Sequence, residues 1–116
     1  MAFEVFPQEE ELLSFFEVEP EVFGDTVITY KRQYDSETLF CSFSPDYGDM
    51  DLTLLQQDKQ KLVLSLSYIQ NVEVVKDTNR EYLKVTFQPS KCLRDFMLTV
   101  KPEVFIRWGT DLDKGD

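Results

Sequence analysis

Between Thr26 and Trp108 the chain alternates apolar and polar residues in one short run after another, and that period of two admits little but antiparallel β-structure. Leu39, Cys41 and Phe43 share one parity, as do Met50, Leu52 and Leu54. Leu62, Leu64 and Leu66 follow, then Leu83, Val85 and Phe87, then Phe96, Leu98 and Val100, and finally Val104, Ile106 and Trp108. Successive side chains of a strand point to opposite faces, so each run has one face to bury and one to leave in water. Thr26 to Tyr34, rich in β-branched and aromatic residues, reads as the first long strand. Asp35-Ser36, Pro45 to Asp49, Gln56 to Gln60 and Asp77 to Arg80 have the composition of turns. Ile69 to Val75 continues as a bent strand or as two strands, with Asn71 marking the bend or bulge. Pro102 implies an edge or a break, because it has no N–H to give to a ladder.

The N-terminal residues do not follow this period. Pro7 suits the first turn of a helix, and Glu9, Glu10 and Glu11 suit its positive end. Leu12, Leu13, Phe15 and Phe16 then recur at helical spacing, which predicts an amphipathic helix from Gln8 to Glu17. Pro20 is expected to start a second turn closing at Gly24. The fold class that follows is α+β and mostly β: an N-terminal amphipathic helix packed on an antiparallel meander of six to eight strands, as a half-barrel or sandwich. One domain spans 1–116, with an acidic helical segment at 1–25, the sheet at 26–109 and a frayed tail at 110–116. A chain of 116 residues can bury a core without disulfides or metal. Its ten phenylalanines, five tyrosines and one tryptophan need such a core, or an interface.

Charge is distributed unevenly. The net charge is −10, and residues 1–25 hold eight acids and no base, whereas the rest holds fourteen acids against twelve bases. A field of that sign opposes nucleic acid, whose binding relies on Lys and Arg neutralising phosphates, and opposes anionic membranes. It attracts a basic protein and accelerates the encounter. Solubility alone is the plain alternative explanation of the acidity. The opening Met-Ala-Phe-Glu-Val-Phe-Pro lacks the basic and apolar regions of a secretory signal, and no apolar run approaches a membrane span, so a cytoplasmic protein is expected.

The residue inventory disfavours catalysis. With no histidine, the commonest general base and the Ser-His and Cys-His nucleophiles are ruled out. Cys41 and Cys92 form no CxxC pair and are expected to be free, buried thiols rather than zinc ligands or a disulfide. Neither GxGxxG nor GxxxxGK[ST] occurs, and no cofactor is implied. Asp46, Asp49 and Asp51 in PDYGDMD could hold calcium only with a closing ligand at the proper position, which is missing, so a solvated turn is expected and no metal site. Tyr30, Tyr34, Phe40 and Tyr47 lie in or next to the first hairpin. Its two faces are expected to be covered, one by the sheet core and one by the helix.

In size, acidity and lack of catalytic residues the chain is similar to bacterial toxin-immunity proteins, small inhibitors of varied fold. The resemblance rests on general character and on no motif. It implies a non-enzymatic module that binds a basic protein partner, such as a toxin or nuclease. Glu9, Glu10, Glu11, Glu17, Glu19 and Glu21 would steer the encounter, and nearby aromatics would supply affinity. Trp108, flanked by Arg107 and close to Phe105, is the candidate contact residue, although tryptophan is more commonly found in a core. A small-molecule-binding barrel is the alternative. So is an accessory subunit, including a homodimer formed through an edge strand.

Overall fold

The apolar stripes of the sequence become the inner faces of two facing sheets. A computed structural model describes residues 2–23 and 26–109. The elements are α1 (Glu9–Phe16), β1 (Glu21–Phe23), β2 (Val27–Gln33), β3 (Glu37–Ser44), β4 (Asp49–Gln56), β5 (Lys59–Leu66), β6 (Ile69–Asp77), β7 (Arg80–Phe87), β8 (Phe96–Thr99) and β9 (Phe105–Arg107). Strands β1 to β5 form one antiparallel meander and β6 to β9 a second, each in chain order. The expected architecture is therefore present as a two-sheet sandwich. The two ladders do not join into a barrel among the described residues. Among the described residues nine strands stand where about six to eight were expected, and β1 accounts for one of them. The segment after Pro20 pairs with β2, Glu21 opposite Thr29 and Val22 opposite Ile28, rather than coiling into a second turn. Free pairing groups on the β2 edge favour an added strand over an isolated turn. Gly24, expected to close that turn, and the tail at 110–116 lie outside the described residues.

Turn chemistry fixes the registers. The β4–β5 hairpin turns on two residues, Gln57 and Asp58, both at positive φ (51° and 65°), so the polar turn is tighter than its composition suggested. Two left-handed residues match the right-handed twist of the flanking strands. Between β3 and β4 the turn is longer, Pro45 to Gly48, with the Tyr47 and Gly48 N–H groups donating to Ser44 O and Gly48 alone left-handed at φ 72°. A bulge lies between Ile69 and Asn71 in the β6–β7 ladder, where the sequence placed one. Strand β6 is separate from β5, the chain passing from one sheet to the other through Ser67 and Tyr68.

Helix α1 closes the sandwich. Its N-cap is Gln8, with Pro7 just outside rather than in the first turn, and the Gln8 N–H donates to Glu11 Oε1 at 2.9 Å. Leu12, Phe15 and Phe16 are buried. Phe16 stacks on Tyr30 (4.5 Å between ring centroids, 15° between planes) and meets Phe15 and Phe43 edge-on. Tyr30 pairs with Cys41, and its ring also lies against Phe43, so the helix covers the same face as Leu39 and Phe43. This corrects the expectation that it would cover the opposite one. On this inner face of β2 and β3, α1 contributes Phe16 against Tyr30 and Phe43. Phe40, on the outer face, is half-buried under the Lys31 ammonium, 5.6 Å from its ring.

The core is all apolar apart from Tyr30 and Cys41: Leu39, Phe43, Leu52, Val72, Leu83, Val85, Phe96 and Leu98 are completely buried, and among the described residues no charged one is. Truncating Phe16→Ala should cost about 3–5 kcal/mol, read as a fall in the urea midpoint with an unchanged slope. Leu13→Ala, one helical position with 38% exposure, should cost much less.

Candidate functional site

The glutamates of the N-terminal segment are all exposed, but they are not equivalent. Glu9, Glu10 and Glu11 occupy the first turn of α1, where the helix dipole favours them. Glu19 lies in the link to β1, and Glu21 is on β1 itself. Tyr30 ties these elements together: its phenol is pushed up to about 12, mainly by burial, with Glu9, Cys41 and Glu19 adding to the shift. Strand β1 pairs with β2, so the acidic segment runs along the β2 side of the sheet. Leu13 and Val22 are exposed at 38% and 61% within this acidic surface.

Glu17 belongs to a different arrangement. It ends the helix in a left-handed conformation (φ 61°), its N–H donating to Leu13 O. The carboxylate pairs with Arg32 at 3.2 Å and with Lys101 at 3.4 Å. The same two cations donate to the last-turn carbonyls, Arg32 to Phe16 O at 3.2 Å and Lys101 to Ser14 O at 2.8 Å. Cations at a helix C-terminus offset its negative end, so they compensate both the dipole and Glu17. Lys101 also lies 3.3 Å from Glu81 Oε1, a buried oxygen with no hydrogen-bond partner, and supplies the charge that makes its burial tolerable. Tyr34 completes the clamp by donating from its hydroxyl to Val100 O at 2.6 Å. Arg32 and Tyr34 come from β2 and the turn after it, and Lys101 from the loop after β8, so the clamp joins both sheets to the helix. This pairing was invisible at the level of sequence, because it joins residues on separate elements, up to 87 positions apart.

Phe15 and Phe16, the aromatics of α1, are buried in the protein's own core at 1% and 0% exposure, and the large apolar side chains left exposed beside the glutamates are Leu13 and Val22. Trp108 lies elsewhere. It stacks on Phe87 at 5.7 Å, meets Phe96 edge-on, and donates from its indole N–H to Arg94 O at 2.9 Å, yet keeps 38% exposure. It is neither a core residue nor a free one: one ring face seals the end of the four-stranded sheet and the rest meets solvent. Phe105 is 60% exposed.

The two thiols differ. Cys41 is buried, and burial, reinforced by Asp51, pushes its thiol well above the usual range. Cys92 is exposed, correcting the expectation of two buried thiols. It follows the short 3₁₀ turn Pro89–Lys91 in a left-handed conformation, which turns the chain towards β8. Among the described residues no three side chains of the metal-ligating types converge. Asp49 and Asp51 sit two apart on β4, and Asp46 in the preceding turn. No helix among the described residues is long and apolar enough to cross a membrane. Strand β5 offers a free edge bearing exposed Lys59, Lys61 and Val63, whereas β6 is partly covered by a parallel bridge from Val5 to Asn71.

Two measurements check this geometry. A thiol reagent should label Cys92 alone in the native protein and both cysteines in denaturant. Because Tyr30 is raised in the folded state from 10.0 to about 12, its contribution is complete below the unfolded value and is lost as pH rises through the folded one. Stability should therefore fall between about pH 10 and 12, and Tyr30→Phe should remove part of that fall in alkaline denaturation curves.

No protein-family model matches the sequence, and no curated protein sequence does. The fold is similar to that of a chain in the contact-dependent growth inhibition toxin–immunity protein complex from Klebsiella pneumoniae 342. The TM-score is 0.87 at 23% identity, covering 94% of this chain and 98% of that one. The two chains share one helix-capped, two-sheet fold over almost their whole lengths.

Proposed function

We propose that the protein is an immunity-type inhibitor: a non-enzymatic module that binds a basic protein toxin, such as a nuclease, through its acidic N-terminal surface. The observation that carries this reading is the likeness in fold to a chain of a toxin–immunity complex. Charge decides between the two roles in such a pair. A toxin that acts on nucleic acid needs cations for phosphates, and this chain carries −10 with eight acids and no base in residues 1–25. The chain also lacks histidine, and Cys41 is held protonated in the core. We place the inhibitor in the cytoplasm, with no cofactor and no affinity for nucleic acid or membrane.

Glu9, Glu10, Glu11, Glu19 and Glu21 steer the encounter, and Leu13 and Val22 make the apolar contact. Glu17 contributes by holding the helix in place, since two cations already meet its carboxylate. The free edge of β5 is the place for a homodimer, with Lys59 and Lys61 opposing it by repulsion.

The test is capture from native lysate at low salt with elution by a salt gradient. One basic protein should elute late and be absent from a Glu9→Gln, Glu10→Gln, Glu11→Gln control. Expressed alone it should arrest growth, and co-expression of this chain should restore it. With the purified pair, the triple variant should associate about tenfold more slowly at low salt and with a flatter salt dependence, the dissociation rate changing little. Recovery of no specific partner at any salt would overturn the reading.

A further inference from the structure

Asp51 and Lys61 are both exposed on the outward face of the five-stranded sheet, and among the described residues neither makes an ion pair or a side-chain hydrogen bond. Met50 and Leu52 point into the core, so Asp51 of β4 points out; on β5 Leu62, Leu64 and Leu66 face inward, so Lys61, Val63 and Ser65 face outward. The ladder pairs Asp51 with Ser65, Leu52 with Leu64, Thr53 with Val63 and Leu54 with Leu62. It then steps to Leu55 with Gln60, leaving Lys61 with no residue opposite it on β4. Ser65, opposite Asp51, is four positions from Lys61, so the two charges stand at the two ends of this stretch and do not meet within one chain. Strand β5 has a free edge, and β1 forms the other edge of the same sheet, so the acidic N-terminal segment is remote from it.

We propose that two copies pair antiparallel through β5 about a two-fold axis at Val63, each copy's Lys61 reaching the other's Asp51 across Ser65. This fixes the register of the homodimer named above, and holds whether or not the protein inhibits a toxin. With Val63 on its own counterpart, Leu62 meets the partner's Leu64 and Ser65 meets the partner's Lys61. Apolar side chains meet at the centre, where Val63 is 54% exposed in the single chain. The outward row then reads Asp51, Ser65, the partner's Lys61, and the axis repeats it. Neighbouring strands lie about 4.8 Å apart, which sets Asp51 and the partner's Lys61 about 10 Å apart at the backbone. A lysine and an aspartate close that gap over a small serine. The repulsion between lysines depends on register. Here the two Lys61 residues stand about 13 Å apart along the strands, beyond the Debye length of about 8 Å at physiological salt. Centred on Lys61 the ladder would set them face to face. Centred on Leu62 it would place Lys61 in the row of Thr53 and Val63, where there is no carboxylate. Centred on Leu64 it would carry Lys61 opposite Ser67, past the end of the strand. Lys59, beyond the step in the ladder, is left outside the pairing.

Sedimentation equilibrium at low salt, up to about 1 mM protein, tests this. The parent should dimerise. Asp51→Lys alone and Lys61→Asp alone should each weaken the dimer about tenfold, because each sets like charges in both symmetry-related rows. An equimolar mixture of these two variants should dimerise as the parent does. In the mixed pair one row holds the native charges and the other the reversed ones, a recovery that misfolding cannot produce. Val63→Lys, at a position already exposed, sets two ammonium groups across the axis and should leave a monomer. The Glu9, Glu10, Glu11 to Gln variant should dimerise like the parent, which separates this edge from the N-terminal surface. A parent that stays monomeric throughout would overturn the proposal and the homodimer together. A dimer indifferent to the single reversals, or a mixture that fails to recover, would overturn this register alone. The inhibitor reading fails separately, by the capture experiment above.

Discussion

The stack of Phe16 on Tyr30 is the contact on which the rest of the molecule depends. Tyr30 of β2 and Phe43 of β3 present apolar surface that needs a cover. Phe16, completely buried, supplies it, with Phe15 and Leu12 alongside. Buried aromatic pairs add about 0.5–1.5 kcal/mol beyond the area they remove from water. The orientation of the helix then follows from its far end, where Arg32 and Lys101 hold the last carbonyls and Glu17 together. Every exposed glutamate of α1 owes its position to these two attachments. The position of that acidic surface is thus fixed by an aromatic contact inside the protein and an ionic clamp at its margin.

The strands were legible because a period of two is visible in any run where one face is buried. Leu39-Cys41-Phe43 and Leu83-Val85-Phe87 are read and found on inner faces for that reason. The helix was legible from Leu12, Phe15 and Phe16, but not the face it would cover, since period says which side chains are buried and nothing about what buries them. Strand β1 was missed because three residues are too few to show a period, and only the unpaired edge of β2 makes them a strand. Cys92 and Trp108 escaped for a related reason. Their exposure is set by the turn at Pro89–Lys91 and by the end of a short β9, both products of tertiary structure. In the acidic segment, the sequence could count charges but could not tell Glu17, held by two cations, from Glu9, Glu10 and Glu11.

Charge is unevenly spread over this fold. Residues 1–25 hold eight acids and no base, whereas cations are distributed over both sheets, with Lys31 and Arg32 on β2, Lys59 and Lys61 on β5 and Arg80 and Lys84 on β7. In a protein with so large a net charge, uniform acidity would have served solubility equally well. A segregated pattern confers orientation, because a partner approaching in the wrong attitude meets like charge. The inhibitor role proposed above would make use of such a pattern, since specificity requires that other basic proteins be refused.

The passage through Ser67 and Tyr68 has a consequence for how the chain reaches this state. Each meander pairs only sequence neighbours, and the Val5–Asn71 bridge is a lone strand pairing between the two halves. Each ladder can close over short loops, the cheap kind of chain closure. What remains is the meeting of two apolar faces across a two-residue connection with Tyr68 at φ 62°. A joint so short leaves little freedom for one half to reach past its own mate. At high concentration, therefore, the way to entanglement lies in exchanging whole halves between molecules, with the connection straightened into a bridge.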